Sequence, residues 1–240
     1  IEKGDEVTES HVLKLNSYES SRFMKSDKIY STWMFLGSIA HVIIIYSILI
    51  LYLFFIRKRI FYDNLQIGIL SGMLVLIAVM SWMSLQVITK FPVEYIIFLP
   101  ALSMLAAIVF DSRTAFYATV TMSLMLAGIR GNDYETSITM LFAGTLAAYS
   151  VRDIQSRTQV YSSIFFIFIG FLISILAFGL ERSVEFLTSL YKAIIALINS
   201  AISPLITFGL LFLLERITNI ATDLRIQEFD NMTHPLIVKL

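Results

Sequence analysis

Ala193–Leu214 reads AIIALINSAISPLITFGLLFLL, and Glu215–Leu240 follows it as ERITNIATDLRIQEFDNMTHPLIVKL. The first stretch is long and apolar enough to cross the hydrocarbon core of a bilayer. No Gly or Pro marks the junction with the second, so the spacing predicts one helix that leaves the lipid and continues into water. Along it, Ile206, Leu210, Leu213, Ile217, Ile220 and Leu224 follow one another at alternating steps of four and three, the seam spacing of a coiled coil. Two readings of that series stand. Leu213, Ile217, Ile220 and Leu224 form a homodimer seam, or the series reflects the abundance of Leu and Ile in an apolar chain.

Composition sets the class. The sequence is 57% hydrophobic and 15% charged, with mean hydropathy +0.78, well to the apolar side of a soluble domain. These numbers describe an all-α, polytopic membrane bundle. The formal net charge is +0, which leaves no global field to attract a nucleic-acid polymer. With 0 Cys, disulfides, zinc-thiolate sites, iron–sulfur clusters and thiol nucleophiles are excluded. Ile1–Tyr30 is polar, carries no signal-peptide core, and is too short to hold a core of its own. It reads as the end of an extracellular domain in a longer protein, with 31–215 as the membrane domain and 216–240 as a cytoplasmic linker.

About seven crossings are predicted, at Trp33–Ile56, Leu65–Ile88, Val93–Phe110, Ala115–Ile129, Thr136–Val151, Tyr161–Leu180 and the last helix. The fourth is short for a span, which implies a tilted helix packed inside the bundle or boundaries set too tight. Glu181–Lys192 reads as an amphipathic outer segment before the last crossing. Arg57, Lys58 and Arg59 follow the first span as a dense basic triplet, which places that end inside and the N-terminus outside. Loop cations elsewhere divide almost evenly between the two sides.

His41 is the one His within a predicted span; an ionisable group there is a functional candidate, or a neutral imidazole bonded to a neighbouring helix. Glu94 stands at the entrance of the third span beside Pro92, as a pocket carboxylate or as a headgroup-level charge. Pro100 is expected to bend that span. Asn199, Ser200 and Ser203 beside Pro204 line a cavity, mark a hinge, or bond across helices. Gly68 and Gly72, and Gly144 with Ala148, have the small-xxx-small spacing of close helix packing. No nucleotide-binding, metalloprotease or serine-hydrolase string is present, so the chain carries no catalytic set, metal site or cofactor site.

Three stretches carry a family resemblance. IEKGDEVTESHVLKLNS, with Lys3, Gly4, Asp5, Val7 and Thr8, looks like the end of an extracellular domain; FLPALSMLAAIVFDSRTA is similar to a third-span pattern; and LLERITNIATDLRIQEFDNMTHPLIVKL resembles an exit segment in Glu215, Thr222, Leu224, Glu228, Asn231, His234, Pro235, Leu236 and Leu240. Together they resemble the bacterial seven-transmembrane HD receptors, in which an extracellular domain and a membrane domain precede a cytoplasmic HD phosphohydrolase. Phe229 stands where that family usually has Leu.

The resemblance implies a parent that hydrolyses cyclic di-AMP, with a divalent metal in an HD domain following Leu240. It makes this chain the sensing and anchoring module in a bacterial inner membrane. An outer ligand would act on it, and Glu215, Thr222, Leu224, Glu228 and Pro235 would couple the last helix to the hydrolase. The alternative is a transporter or small-molecule-binding bundle in which Glu94, His41 and Asn199 line a path. Against it stand the few charges in the spans and the lack of an inverted repeat.

Overall fold

The computed structural model describes residues 9–24, 28–87, 92–152 and 159–218. The expected coupling and seam positions Ile220, Thr222, Leu224, Glu228 and Pro235 lie outside them. The described residues are helical and contain no strand, as the composition predicts.

The chain divides into two units, Ile1–Ile44 and Ile45–Leu240. The first holds α1 (Glu9–Met24) and the opening of α2 (Lys28–Phe55). Val12, Leu13 and Leu15 on α1 are exposed, as are Trp33, Met34 and Phe35 on α2.

The second unit is a helical bundle. It takes the end of α2, the short elbow α3 (Lys58–Phe61), α4 (Asn64–Gln86), α5 (Leu99–Val109), α6 (Ser112–Ile129), α7 (Tyr134–Ser150), α8 (Gln159–Glu181) and α9 (Phe186–Thr218). Among the described residues of both units, four segments are long and apolar enough to cross a membrane: Thr32–Phe55, Asn64–Gln86, Ser162–Glu181 and Phe186–Ile217. Within the second unit, α4, α8 and α9 pack against the three shorter helices α5, α6 and α7. In α5 every residue from Leu99 to Ala107 is buried, and α7 contacts α5, α6 and α8.

The short fourth crossing is a matter of boundaries. α6 starts at Ser112, capped by Asp111, whose carboxylate accepts the Thr114 amide at 2.6 Å. Its 18 residues span about 27 Å, close to the hydrocarbon thickness. Its low apolarity comes from hydroxyls turned into the bundle. Thr114, Thr119, Thr121 and Ser123 are buried, and Thr121 Oγ1 donates to Tyr117 O at 2.9 Å.

Two other expectations change. Pro100 does not bend a continuous third span: it lies in the first turn of α5, where a proline costs no intrahelical hydrogen bond. The span is instead broken, with a 3-10 turn at Val93–Ile96 and extended backbone at Ile97. The outer segment before the last crossing is shorter than Glu181–Lys192, because α8 runs to Glu181 and α9 begins at Phe186.

Small residues set the helix spacing around α7. A Cβ on Gly144 would stand 2.7 Å from Leu99 Cδ2 and 2.8 Å from both Ser103 Oγ and Thr119 Cγ2. One on Gly170 of α8 would stand 2.8 Å from the Ala143 Cα. Where lipid is as apolar as the side chains, such close approach is a principal source of helix association. Gly68 and Gly72 differ, since nothing among the described residues lies within 4 Å of a Cβ at either.

Candidate functional site

The break before α5 frees backbone carbonyls inside the bundle, and a bare carbonyl at membrane depth is costly. Asn199 on α9 answers it. Its Nδ2 donates to Tyr95 O at 2.7 Å and to Ile97 O at 3.0 Å, while its Oδ1 accepts from Ser203 Oγ at 2.8 Å. Three of the four hydrogen-bonding places of the amide are filled, and the side chain is buried.

The same face of α9 continues as a polar ladder. Ser200 Oγ donates to Ala196 O at 2.7 Å. Thr207 Oγ1 lies 2.9 Å from Ser203 O and 3.0 Å from Ala101 O; its single proton serves one of these carbonyls at a time. Pro204, which lacks an amide proton, is buried within this ladder. The Thr207 hydroxyl therefore ties α9 to α5 near the point where the α9 backbone ladder is interrupted.

At the start of α9 stands an ion cluster. Lys192 Nζ donates to Glu135 Oε1 at 2.6 Å, and Arg182 Nη1 lies 2.9 Å from Glu135 Oε2. Glu135 is 13% exposed and Lys192 19%. The Lys192 ammonium also lies 5.9 Å from the centre of the Tyr95 ring, within reach of a cation–π attraction. Alongside, Arg130 Nη1 donates to Ser84 Oγ at 2.6 Å and Nη2 to Glu94 Oε2 at 3.2 Å. These contacts bring the end of α4, the entrance of the third span, the end of α6, the starts of α7 and α9 and the end of α8 to one end of the bundle.

The opposite end is held by an ion pair between Arg57 and Asp111. Tyr52 stacks on Tyr117 with ring centres 4.0 Å apart, and its hydroxyl lies 3.3 Å from Thr114 Oγ1. Arg57, Lys58, Arg59, Arg113 and Arg152 all fall at this end, because the helices joined by tight turns alternate in direction.

Of the three residues expected to line a pocket, Glu94 is engaged with Arg130, and Asn199 with the Tyr95–Ile97 backbone. His41 belongs to the first unit, at an exposed position on α2. Leu213 and Ile217 are 50% and 69% exposed on α9, Glu215 is half-buried, and Arg216 is exposed. Sequence reading passed over the partnership of Arg130 with Glu94 and of Glu135 with Lys192. The available signal was that each charge falls at a helix end beside an apolar run.

The geometry is that of a helical bundle with one long helix clamped at its start and its middle. No curated protein and no solved structure matches the chain. The family described as 7TM receptor with intracellular HD hydrolase matches residues 32–222, a stretch that takes in the four candidate spans among the described residues and the described end of α9. The chain is a multi-pass membrane protein, and it belongs to that family of seven-helix receptor modules linked to an HD hydrolase domain.

Proposed function

We propose that this chain is the sensing and anchoring module of a bacterial inner-membrane cyclic-di-AMP phosphodiesterase, and that α9 carries the signal. The observation that supports this most is the length and anchoring of α9. Its 33 residues extend about 50 Å, more than the thickness of the hydrocarbon core. One end is held by Glu135, the middle is tied to the break before α5 through Asn199 and to α5 through Thr207, and Leu213 and Ile217 beyond are exposed. A rigid rod fixed near one membrane face transmits a change made there to the other face, provided two arrangements lie close in energy.

In this reading the ion-paired end faces outward, residues 1–30 lead in from an extracellular domain, 31–215 form the membrane domain, and 216–240 link it to the hydrolase. Arg57, Lys58, Arg59, Arg113 and Arg152 then face the cytoplasm, as the positive-inside rule favours. Glu215, Thr222, Leu224, Glu228 and Pro235 lie along the coupling path. Leu213, Ile217, Ile220 and Leu224 form a homodimer seam. The divalent metal belongs to the hydrolase domain, and no residue of this chain is assigned to it. The outer ligand acts on the extracellular domain or on the ion-paired end.

The transporter alternative is weakened by the same geometry. Broken membrane helices bind ions through freed carbonyls, but here the side chain of Asn199 occupies those carbonyls.

The test uses the parent protein in membranes. One alanine inserted after Ile217 turns everything beyond it by about 100°, whereas seven alanines return it to within about 20°. Cyclic-di-AMP hydrolysis, or its response to the outer signal, should change with one alanine and recover with seven. Equal behaviour of both insertions and the parent would remove α9 coupling.

A further inference from the structure

The elbow between the first two crossings carries charge that the bundle does not use. One candidate span ends at Phe55 and the next begins at Asn64, so the residues between them stay at the level of the lipid headgroups. Three of them are basic. Arg57 is committed to Asp111. Asp63, the acid of the elbow, is committed too: its Oδ1 accepts the Leu65 amide at 2.9 Å and the Gln66 amide at 3.3 Å, capping α4. Lys58 and Arg59 remain exposed, with no ion-pair partner among the described residues.

Both line an open groove of about 760 Å³ that also takes in Tyr62, Asn64, Leu65 and Asp63, whose carboxylate is turned to the α4 amides it caps. Tyr62 is 73% exposed and Phe55 68%. Tyr62 presents a hydroxyl and an aromatic body together, the kind of side chain that sits at the membrane–water interface. Phe61 packs edge-on to both Phe54 and Tyr62, and Ile60 is buried, so the elbow is pinned to the bundle. The two cations are therefore presented at a set depth.

We infer that this groove binds the phosphodiester headgroup of an anionic phospholipid, held by Lys58 and Arg59 with Tyr62 and Asn64 as neutral hydrogen-bonding groups. The charge is complementary, and the depth is that of the phosphate layer. The apolar side of the groove, at Leu65 and the Tyr62 ring, suits the first carbons of an acyl chain. A free phosphate satisfies the cations alone; a lipid satisfies the cations and the apolar rim. Each cation near an anionic surface strengthens binding by roughly fivefold.

The whole chain is reconstituted into nanodiscs holding an excess of phosphatidylcholine over phosphatidylglycerol, and retained lipid is counted by native mass spectrometry. The chain should retain phosphatidylglycerol preferentially. Lys58→Gln with Arg59→Gln should lower that preference by at least roughly tenfold, while Arg113→Gln, an exposed cation on the first turn of α6, leaves it nearly unchanged. Lys58→Arg should retain it, and an unchanged circular-dichroism spectrum shows that the variants are folded. Equal retention by the chain and the double variant would overturn the site. Displacement of the lipid by millimolar inorganic phosphate would overturn the lipid assignment in favour of a soluble anion.

Discussion

Lys192 Nζ reaches Glu135 Oε1 at 2.6 Å, so the start of α9 is tied to the start of α7 across a large separation in sequence. Glu135→Gln removes the charge and keeps the shape. The loss should lie between that of a surface pair and that of a fully buried one, about 1–3 kcal/mol. Unfolding followed in mixed micelles measures it. Adding Lys192→Gln should recover part of the loss, because no unpaired ammonium is then left half-buried.

Asn199→Ala leaves the carbonyls of Tyr95 and Ile97 without their donor. The cost should be about 1–3 kcal/mol, larger than that of Ser203→Ala, which removes one bond from Asn199 Oδ1. Thermal unfolding of the two variants in the same detergent ranks them. If Ser203→Ala costs as much as Asn199→Ala, the clamp on the broken span is not the reason for the amide.

The glycines separate packing inside the chain from contact outside it. Gly144→Leu would drive carbons into Leu99, Ser103 and Thr119, costing about 1–3 kcal/mol or more. At exposed Gly72 an added Cβ meets nothing within 4 Å among the described residues, and Gly72→Leu should leave monomer stability within about 0.5 kcal/mol. Unfolding midpoints check both. A shift in oligomeric state on Gly72→Leu would mark that face of α4 as a contact between copies.

Arg57 and Asp111 join the loops after the first and third crossings. Asp111 also caps α6. Asp111→Asn keeps a capping oxygen but loses the ion pair, whereas Asp111→Ala loses both. The Ala variant should be the less stable by about 1 kcal/mol, and proteolysis at 111–113 in proteoliposomes should be faster for it than for the Asn variant. Equal rates would show that the cap contributes nothing at this turn.

Sequence patterning alone determined the class of the fold, an all-α membrane bundle. Runs such as Ala193–Leu214 are too apolar for water, and a bilayer accepts them only as helices whose backbone bonds are satisfied within the segment. The spacing also marked Asn199 and Pro204 as special, because a polar amide or a missing donor in hydrocarbon calls for a local reason. That reason lay elsewhere in the chain. The break at Ile97–Phe98 could not be read from YIIFLP, which is as apolar as a continuous helix. It persists because Asn199, far away in sequence, supplies the donors that the backbone lost. In the same way Gly144 and Gly72 have similar neighbours in sequence, yet one lies against three side chains and the other against none. Local composition limits what a segment can form, whereas the partner of a polar or small residue depends on which helix the fold sets opposite it.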